Sequence, residues 1–215
     1  MKTLDYLPNT NIYLYQDSEM FRINSDTRYL GEFLSVKKED SVLDIGTNNG
    51  ALLLYANKYG CNKLIGVDIN DKAIEICKEN MKLNKIENFE LYSCRVQDLD
   101  VLPVDVIVCN PPYFKNSNLN KNELIKNARH DECLTIEELA ISCKRLLKDN
   151  GKVYIVYKSS ELISLITNFN NCGFGVTKLK FIFDENKELS NCFLIELIKG
   201  RKNDVKIEKP IVIEH

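Results

Sequence analysis

The sequence has no surplus of charge of either sign. Its 215 residues carry 29 Lys and Arg against 31 Asp and Glu, a formal net charge of -2 and an isoelectric point of about 5.8. Nothing global advertises a polyanionic partner, so any basic footprint has to be local. No apolar run is long enough to cross a bilayer. Met1 to Gln16 lacks the basic segment, apolar stretch and small-residue cleavage site of a leader. A soluble, cytoplasmic, monomeric chain with no membrane partner is expected. The eight cysteines (Cys61, Cys77, Cys94, Cys109, Cys133, Cys143, Cys172 and Cys192) form no C-x-x-C pair. Spread evenly along the chain, they read as reduced, mostly buried thiols and argue against a metal site. There is no internal repeat, and 215 residues suffice for one α/β domain with a core and little more.

What is present is an alternation of apolar strands and amphipathic helices. Ile12 to Gln16 and Met20 to Ile23 are β-prone runs around Asp17-Ser18-Glu19 and suggest a small hairpin. Ser25 to Leu34 reads as a helix with Ser25 or Asp26 as its N-cap. Strands follow at Ser41 to Ile45, Lys63 to Asp68, Phe89 to Ser93, Val104 to Cys109 and Val153 to Tyr157. Helices are expected at Ala51 to Tyr59, Asp71 to Leu83, Ile136 to Leu147 and Ser160 to Phe169. Val176 to Phe183 and Cys192 to Ile198 form a final antiparallel-looking pair, and Asn116 to Asn122 reads as a polar loop. The order implies an α/β fold: a Rossmann-like, doubly wound, mainly parallel seven-stranded sheet with an antiparallel edge strand, preceded by a hairpin and helix. One domain over residues 1–215 is expected, with an extension at 1–36, a core at 37–200 and a tail at 201–215.

Between the first core strand and helix lies Asp44-Ile45-Gly46-Thr47-Asn48-Asn49-Gly50. Gly46 permits a tight turn and lets a ligand approach the backbone. A lone G-x-x-x-G also describes an ordinary strand-to-helix turn. Here a strand precedes it, and Asp68 ends the next strand, where a carboxylate accepts hydrogen bonds from vicinal ribose hydroxyls. A dinucleotide site would need G-x-G-x-x-G with a helix N-terminus facing pyrophosphate. Asn48 and Asn49 suit a zwitterionic amino-acid tail better, and Asp44 favours a cationic amine or sulfonium and repels phosphate. S-adenosylmethionine fits this loop better than a nicotinamide dinucleotide.

The apolar run Asp105 to Cys109 stops abruptly in Asn110-Pro111-Pro112-Tyr113. Two prolines cannot donate ladder hydrogen bonds and they fix φ, so the backbone is stiff where it leaves the sheet. One amide, one free carbonyl and one aromatic ring are thereby held at the carboxyl end of a strand, where open α/β folds bind ligands. The chemistry suited to these groups is the handling of an amino group on a flat ring.

This motif, together with Asp44 to Gly50, resembles the S-adenosylmethionine-dependent amino-methyltransferases, which methylate adenine N6, cytosine N4 or a glutamine amide. Further stretches resemble the bacterial tRNA1(Val) adenine-N6-methyltransferase family: Gln16-Asp17, Phe21 to Leu30 with Asp26-Thr27, Phe114-Lys115, and Ala128-Arg129-His130 before Leu134 to Leu139. The resemblance covers nearly the whole chain. It implies Asn110, Pro111, Pro112 and Tyr113 as catalytic residues. It implies a cofactor site built from Asp26, Asp44, Gly46, Thr47, Asn48, Gly50, Asp68, Ile69, Val96, Gln97, Asp98 and Asn110, with Asp98 at the adenine amine. The family usually carries a glycine where Asn48 stands; Asn also tolerates the left-handed region.

The implied substrate is the adenosine 3′ of the anticodon (tRNA position 37), reached in a single-stranded loop without duplex flipping. Lys115, Lys121, Lys126 and Arg129 make a local basic lip after the motif, and Lys178, Lys180, Lys199, Arg201 and Lys202 a second cluster for the tRNA body. Lysine runs are also what solvated faces carry. Arg129 and His130 either contact substrate or anchor the loop. Two other enzymatic readings stay open, a protein-glutamine N5-methyltransferase and an rRNA adenine-N6-methyltransferase, as does a non-catalytic RNA-binding module. The glutamine enzymes carry a sizeable helical domain before the cofactor loop, whereas here about 40 residues precede Asp44.

Overall fold

A computed structural model of the chain describes residues 1–7, 9–18, 22–111 and 134–214. Strands β1 (Lys2–Tyr6) and β2 (Tyr13–Asp17) form an antiparallel hairpin, with Lys2 opposite Asp17 and Tyr6 opposite Tyr13. The hairpin therefore lies upstream of its sequence-based position: β2 is the expected run, but its partner precedes it; of the other expected run, Met20 and Phe21 lie outside the described residues. Leu14 and Gln16 of β2 are buried while Tyr13 is exposed, the alternation that marks a half-buried strand. β1 is exposed almost throughout and carries no such signal. Helix α1 (Ser25–Phe33) is capped one residue earlier than expected, by Asn24 rather than Ser25 or Asp26: Asn24 is extended, and its Oδ1 accepts from the Thr27 N–H at 3.0 Å.

The core follows as β3 (Ser41–Ile45), α2 (Ala51–Asn57), β4 (Lys63–Asp68), α3 (Asp71–Leu83), β5 (Phe89–Ser93), a 3-10 turn at Val96–Asp98 and β6 (Val104–Cys109). After residues 112–133 come α4 (Ile136–Leu146), β7 (Leu147–Lys158), α5 (Leu162–Asn171), β8 (Phe174–Asp184) and β9 (Cys192–Lys199). Two short strands, β10 (Lys206–Ile207) and β11 (Ile211–Ile213), end the chain. The main sheet runs β10-β8-β9-β7-β6-β3-β4-β5, with β11 also on β8. The seven strands β3 to β9 form the expected mainly parallel sheet. The antiparallel strand, β9, sits between β7 and β8, inside the sheet rather than at its rim. The segment expected to be a tail contributes β10 and β11, both parallel to β8.

Both faces are covered. Leu139, Cys143, Leu165 and Phe169 of α4 and α5 pack on Leu43, Ile107 and Ile155 on one side. Leu14 of the hairpin, Leu30 of α1, Leu53 of α2 and Met81 of α3 pack on Val42, Val106 and Val156 on the other. Burying each such side chain contributes about 1.5–3 kcal/mol, so the sheet ends are held on a rigid base. The chain leaves β3 for β4 and β5 on one side and returns to place β6 on the other. That reversal opens a crevice at the carboxyl ends of β3, β4 and β6, the usual ligand position in such sheets. Among the described residues, Cys61, Cys77, Cys94, Cys109, Cys143, Cys172 and Cys192 are free thiols, and no helix is long and apolar enough to cross a membrane.

Candidate active site

The crevice is a cavity of about 760 Å³. Its first wall is the loop after β3. The Gly46 and Thr47 N–H groups both donate to the Val67 carbonyl, at 2.9 and 3.0 Å, folding the loop over the end of β4. Gly46 has φ +74°, and a Cβ there would project into open space, so the backbone itself faces the cavity. Asn48 takes φ +48°, the left-handed conformation for which asparagine is a tolerated substitute for glycine. Gly50 has φ +81° but does another job. A Cβ there would meet Cys77 Sγ at 2.6 Å and Met81 Cε at 2.9 Å, so Gly50 lets α3 pack closely and does not line the cavity.

Asp44 and Asp68 supply the charge. Asp44 lies at the end of β3, 1 % exposed, and its Oδ2 accepts from the Thr47 hydroxyl at 2.9 Å. Among the described residues its Oδ1 has no hydrogen-bond partner, and neither has the Asn49 Nδ2. Burial pushes the Asp44 carboxyl up to about 7; the Thr47 bond opposes this and the nearby Asp68 charge adds to it. Asp68 ends β4 and is preset by backbone: Oδ2 accepts from the Asn48 N–H at 2.9 Å and Oδ1 from the Asn70 N–H at 3.0 Å. Each oxygen keeps a second lone pair for a ligand hydroxyl. Ile69, half exposed, lies beside it in the same wall.

The facing wall holds Asn110 and Pro111 at the end of β6, Thr27 of α1 and, from the 3-10 turn, Val96 and Gln97. The turn is fixed by Arg145 of α4, whose guanidinium donates to the carbonyls of Leu99, Val96 and Gln97 at 2.6, 2.8 and 3.1 Å. Asp98, expected at an adenine amine, is exposed and lies outside the lining; the turn presents Val96 and Gln97 instead. Asp26 is also outside the lining. Its Oδ1 accepts from the Cys192 thiol at 3.6 Å, and Thr27, rotated about 100° further round the helix, takes the cavity position. Sequence reasoning missed Thr27 as a wall residue, and with it Asn80 and Gln16. Asn80 is fully buried; its Nδ2 donates to the Tyr15 and Asn49 carbonyls at 3.0 and 2.8 Å, tying the hairpin to the loop. Gln16 Oε1 accepts from the Ile23 N–H at 2.8 Å and anchors the segment carrying Arg22, Ile23 and Asn24 into the cavity wall.

The methyltransferase domain family matches residues 36–202. The chain belongs to that family. Among curated relatives, the Shewanella frigidimarina tRNA1(Val) (adenine(37)-N6)-methyltransferase is 28 % identical over 179 residues, covering 79 % of this chain and 71 % of the relative. The enzyme of the same name from Vibrio vulnificus is 31 % identical over 146 residues, covering 65 % of this chain and 59 % of the relative. A methyltransferase structure from Pyrococcus furiosus superimposes with TM-score 0.68 at 17 % identity, over 90 % of this chain and 92 % of that one, a likeness of fold.

In this methyltransferase, Pro112, Tyr113, Lys115, Lys121, Lys126, Arg129 and His130 lie outside the described residues, as does the polar stretch 116–122. The second basic cluster is not brought to the cavity. β9 runs antiparallel, so Lys199, Arg201 and Lys202 sit at the end of the sheet opposite the crevice. Lys199 Nζ donates to the Leu147 carbonyl at 2.7 Å and pairs with Asp149 at 3.4 Å. Lys180 pairs with Glu208 at 3.4 Å and Lys178 with the buried Glu196 at 3.2 Å. Burial pushes Glu196 up, but hydrogen bonds from Tyr154 and Thr177 and the charges of Lys152 and Lys178 outweigh it, leaving the carboxyl below its ordinary range. Lys178 thus neutralises a buried carboxylate.

Proposed function

We propose that this methyltransferase carries a methyl group from S-adenosylmethionine to the exocyclic N6 amine of an adenosine in tRNA, the adenosine 3′ of the anticodon of tRNA1(Val). The observation that carries the reading is the placement of Asn110 and Pro111 in one cavity with Asp44, Gly46 and Asp68. The relatives named above supply the choice of RNA.

The donor set fits the cofactor. A buried carboxylate oxygen and a buried amide N–H, each without a partner among the described residues, match the ammonium and carboxylate of an amino-acid tail. Asp68, with both oxygens preset by backbone N–H groups, would hold the ribose hydroxyls. Val96, Gln97 and Ile69 would flank the adenine. The cofactor supplies an electrophilic methyl group on a sulfonium.

Everything else is orientation. An adenine amine is a poor nucleophile because its lone pair is delocalised into the ring. Asn110 Oδ1 and the Pro111 carbonyl would each accept one of its N–H groups, favouring a pyramidal nitrogen with its lone pair free. Positive charge developing on that nitrogen strengthens both bonds. We assign Tyr113 to stack on the base and add cation–π attraction. No strong general base is needed, since a methylated amine bearing positive charge loses its proton to water. The test is mass spectrometry of nucleosides from tRNA treated with the protein and S-adenosylmethionine. N6-methyladenosine confined to one tRNA species is the expected result; methylation found only on a protein glutamine overturns it.

A further inference from the structure

The amide of Asn110 has a defined orientation, and the reason lies in α1. The chain of hydrogen bonds starts at a group that can only donate, the Thr27 backbone N–H. Its acceptor at 3.0 Å must therefore be the Asn24 oxygen, which fixes the Asn24 amide. That same oxygen accepts from the Thr27 hydroxyl at 3.1 Å, so the hydroxyl proton is committed to Asn24. What the hydroxyl turns toward Asn110 is a lone pair, and the Asn110 Nδ2 donates to it at 3.0 Å. A flipped Asn110 amide would set oxygen against oxygen or take the proton away from Asn24; either way one hydrogen bond of the chain is lost.

We infer that Thr27 is the positioning residue for Asn110: its hydroxyl holds Nδ2 toward α1, so that Oδ1 is the amide atom offered to the target amine. This rests on the reading of Asn110 as the group that grips that amine. The distinction decides activity, because an amide presenting Nδ2 offers a donor to an amine that needs acceptors. Thr27, the middle member of the chain, is 9 % exposed and lines the cavity beside Asn110, while Asn24 at the helix cap is exposed and Asn110 half-buried. It also gives a chemical use to the stretch before the first core strand, since the orientation of a side chain at the end of β6 is set from the helix cap at Asn24.

Thr27→Val keeps the shape and the backbone N–H that satisfies the cap, and removes only the hydroxyl; Thr27→Ser keeps the hydroxyl. In single-turnover methyl transfer to tRNA, Thr27→Val is expected to be roughly tenfold slower, the scale of one lost hydrogen bond, with unchanged cofactor affinity. Thr27→Ser is expected to recover most of the rate. In an Asn110→Ala background, Thr27→Val should add no further loss, since the residue it orients is gone. A readout free of substrate accompanies the kinetics: the Asn110 side-chain amide resonances in asparagine-labelled protein. These should shift in Thr27→Val and stay near wild type in Thr27→Ser. Unmoved Asn110 resonances in Thr27→Val, or an equal slowing with and without Asn110, overturn the inference. If wild-type protein methylates no tRNA, the proposed substrate fails, and the resonances still decide the role of Thr27.

Discussion

Asp44→Asn is expected to make the free protein more stable and the cofactor complex weaker at once. The Asp44 carboxyl is fully buried, with one oxygen held by Thr47 and the other without a partner among the described residues. Raising it from an ordinary carboxylate value to about 7 corresponds to roughly 4 kcal/mol against the ionised form. At pH 8 the folded protein bears that cost. Asn removes the charge but leaves a buried Nδ2 without an acceptor, which costs about 1–3 kcal/mol. The difference favours the variant by about 1–3 kcal/mol, at about 2–4 °C of melting temperature per kcal/mol for a chain of this size. Against this, loss of a charge-assisted bond to a cationic amine costs about 1.5–3 kcal/mol of cofactor binding, or about 10- to 150-fold in affinity.

The sign of the pH dependence follows from the same group. Between an unfolded value near 4 and a folded value of about 7, the native state keeps the Asp44 proton and the unfolded chain has lost it. Asp44 therefore lowers stability progressively as pH rises through that window, and by a constant amount above it. Other carboxyls act oppositely: Glu196 and Asp105 are held below their ordinary range. The diagnostic is accordingly the difference between wild type and Asp44→Asn, which should grow from about pH 4 to about pH 7 and then level off. Denaturant melts across pH read the stability, and calorimetry in buffers of different ionisation enthalpy reads the proton released when a cationic amine binds below pH 7. An Asp44→Asn protein that melts below wild type at pH 8, or binds the cofactor equally well, refutes the reasoning.

Asp68→Ala should cost about 1.5–3 kcal/mol of cofactor binding by calorimetry, because charge-assisted bonds to ribose hydroxyls are lost. Asn110→Ala should slow methyl transfer by roughly 10²-fold, the scale of one oriented polar stabiliser, while cofactor affinity barely moves. Gly50→Ala combines an unfavourable φ of +81° with a clash against Cys77 and Met81, and chemical denaturation should show a loss of about 1–3 kcal/mol. Lys178→Ala should destabilise the fold by about 1–3 kcal/mol, since Glu196 loses a partner. Neutralising the exposed Arg201 and Lys202 should leave melting unchanged; if both touch phosphates, the salt dependence of tRNA binding flattens by about two units of slope.

Strands β3 to β9 were legible because each holds an apolar run, and the loop at Gly46 because its glycines stand between a strand and a helix with an acid at the end of the next strand; β10 and β11 were not, being two and three residues long and largely exposed. β1 was not, because an exposed strand on a two-stranded hairpin has no buried alternation to read. Asp26 and Asp98 illustrate a different limit. Each lies next to residues that do line the cavity, but which side chain faces inward depends on the rotation of one helical turn, set by packing across the sheet. Arg145, Asn80 and Gln16 were illegible for a third reason. They act by bonding backbone groups 46 to 49, 31 to 65 and 7 residues away in sequence, and nothing in their own neighbourhood announces it.

The two polar atoms without partners among the described residues, Asp44 Oδ1 and Asn49 Nδ2, both belong to residues lining the cavity. Each is an unfavourable burial of about 1–3 kcal/mol in the free protein. One is an acceptor that prefers a cation and the other a donor that prefers an anion, so a zwitterion relieves both in a single event, whereas an apolar ligand of equal size relieves neither. Asn49 is also the residue whose carbonyl is gripped by Asn80, and Asn80 in turn holds Tyr15 of the hairpin. Relief at the loop is therefore felt at the hairpin and at the segment from Arg22 to Asn24, which closes the cavity from the other side. Cofactor binding should accordingly protect the Tyr15 and Ile23 amides from hydrogen exchange, although neither residue belongs to the loop that would hold the cofactor.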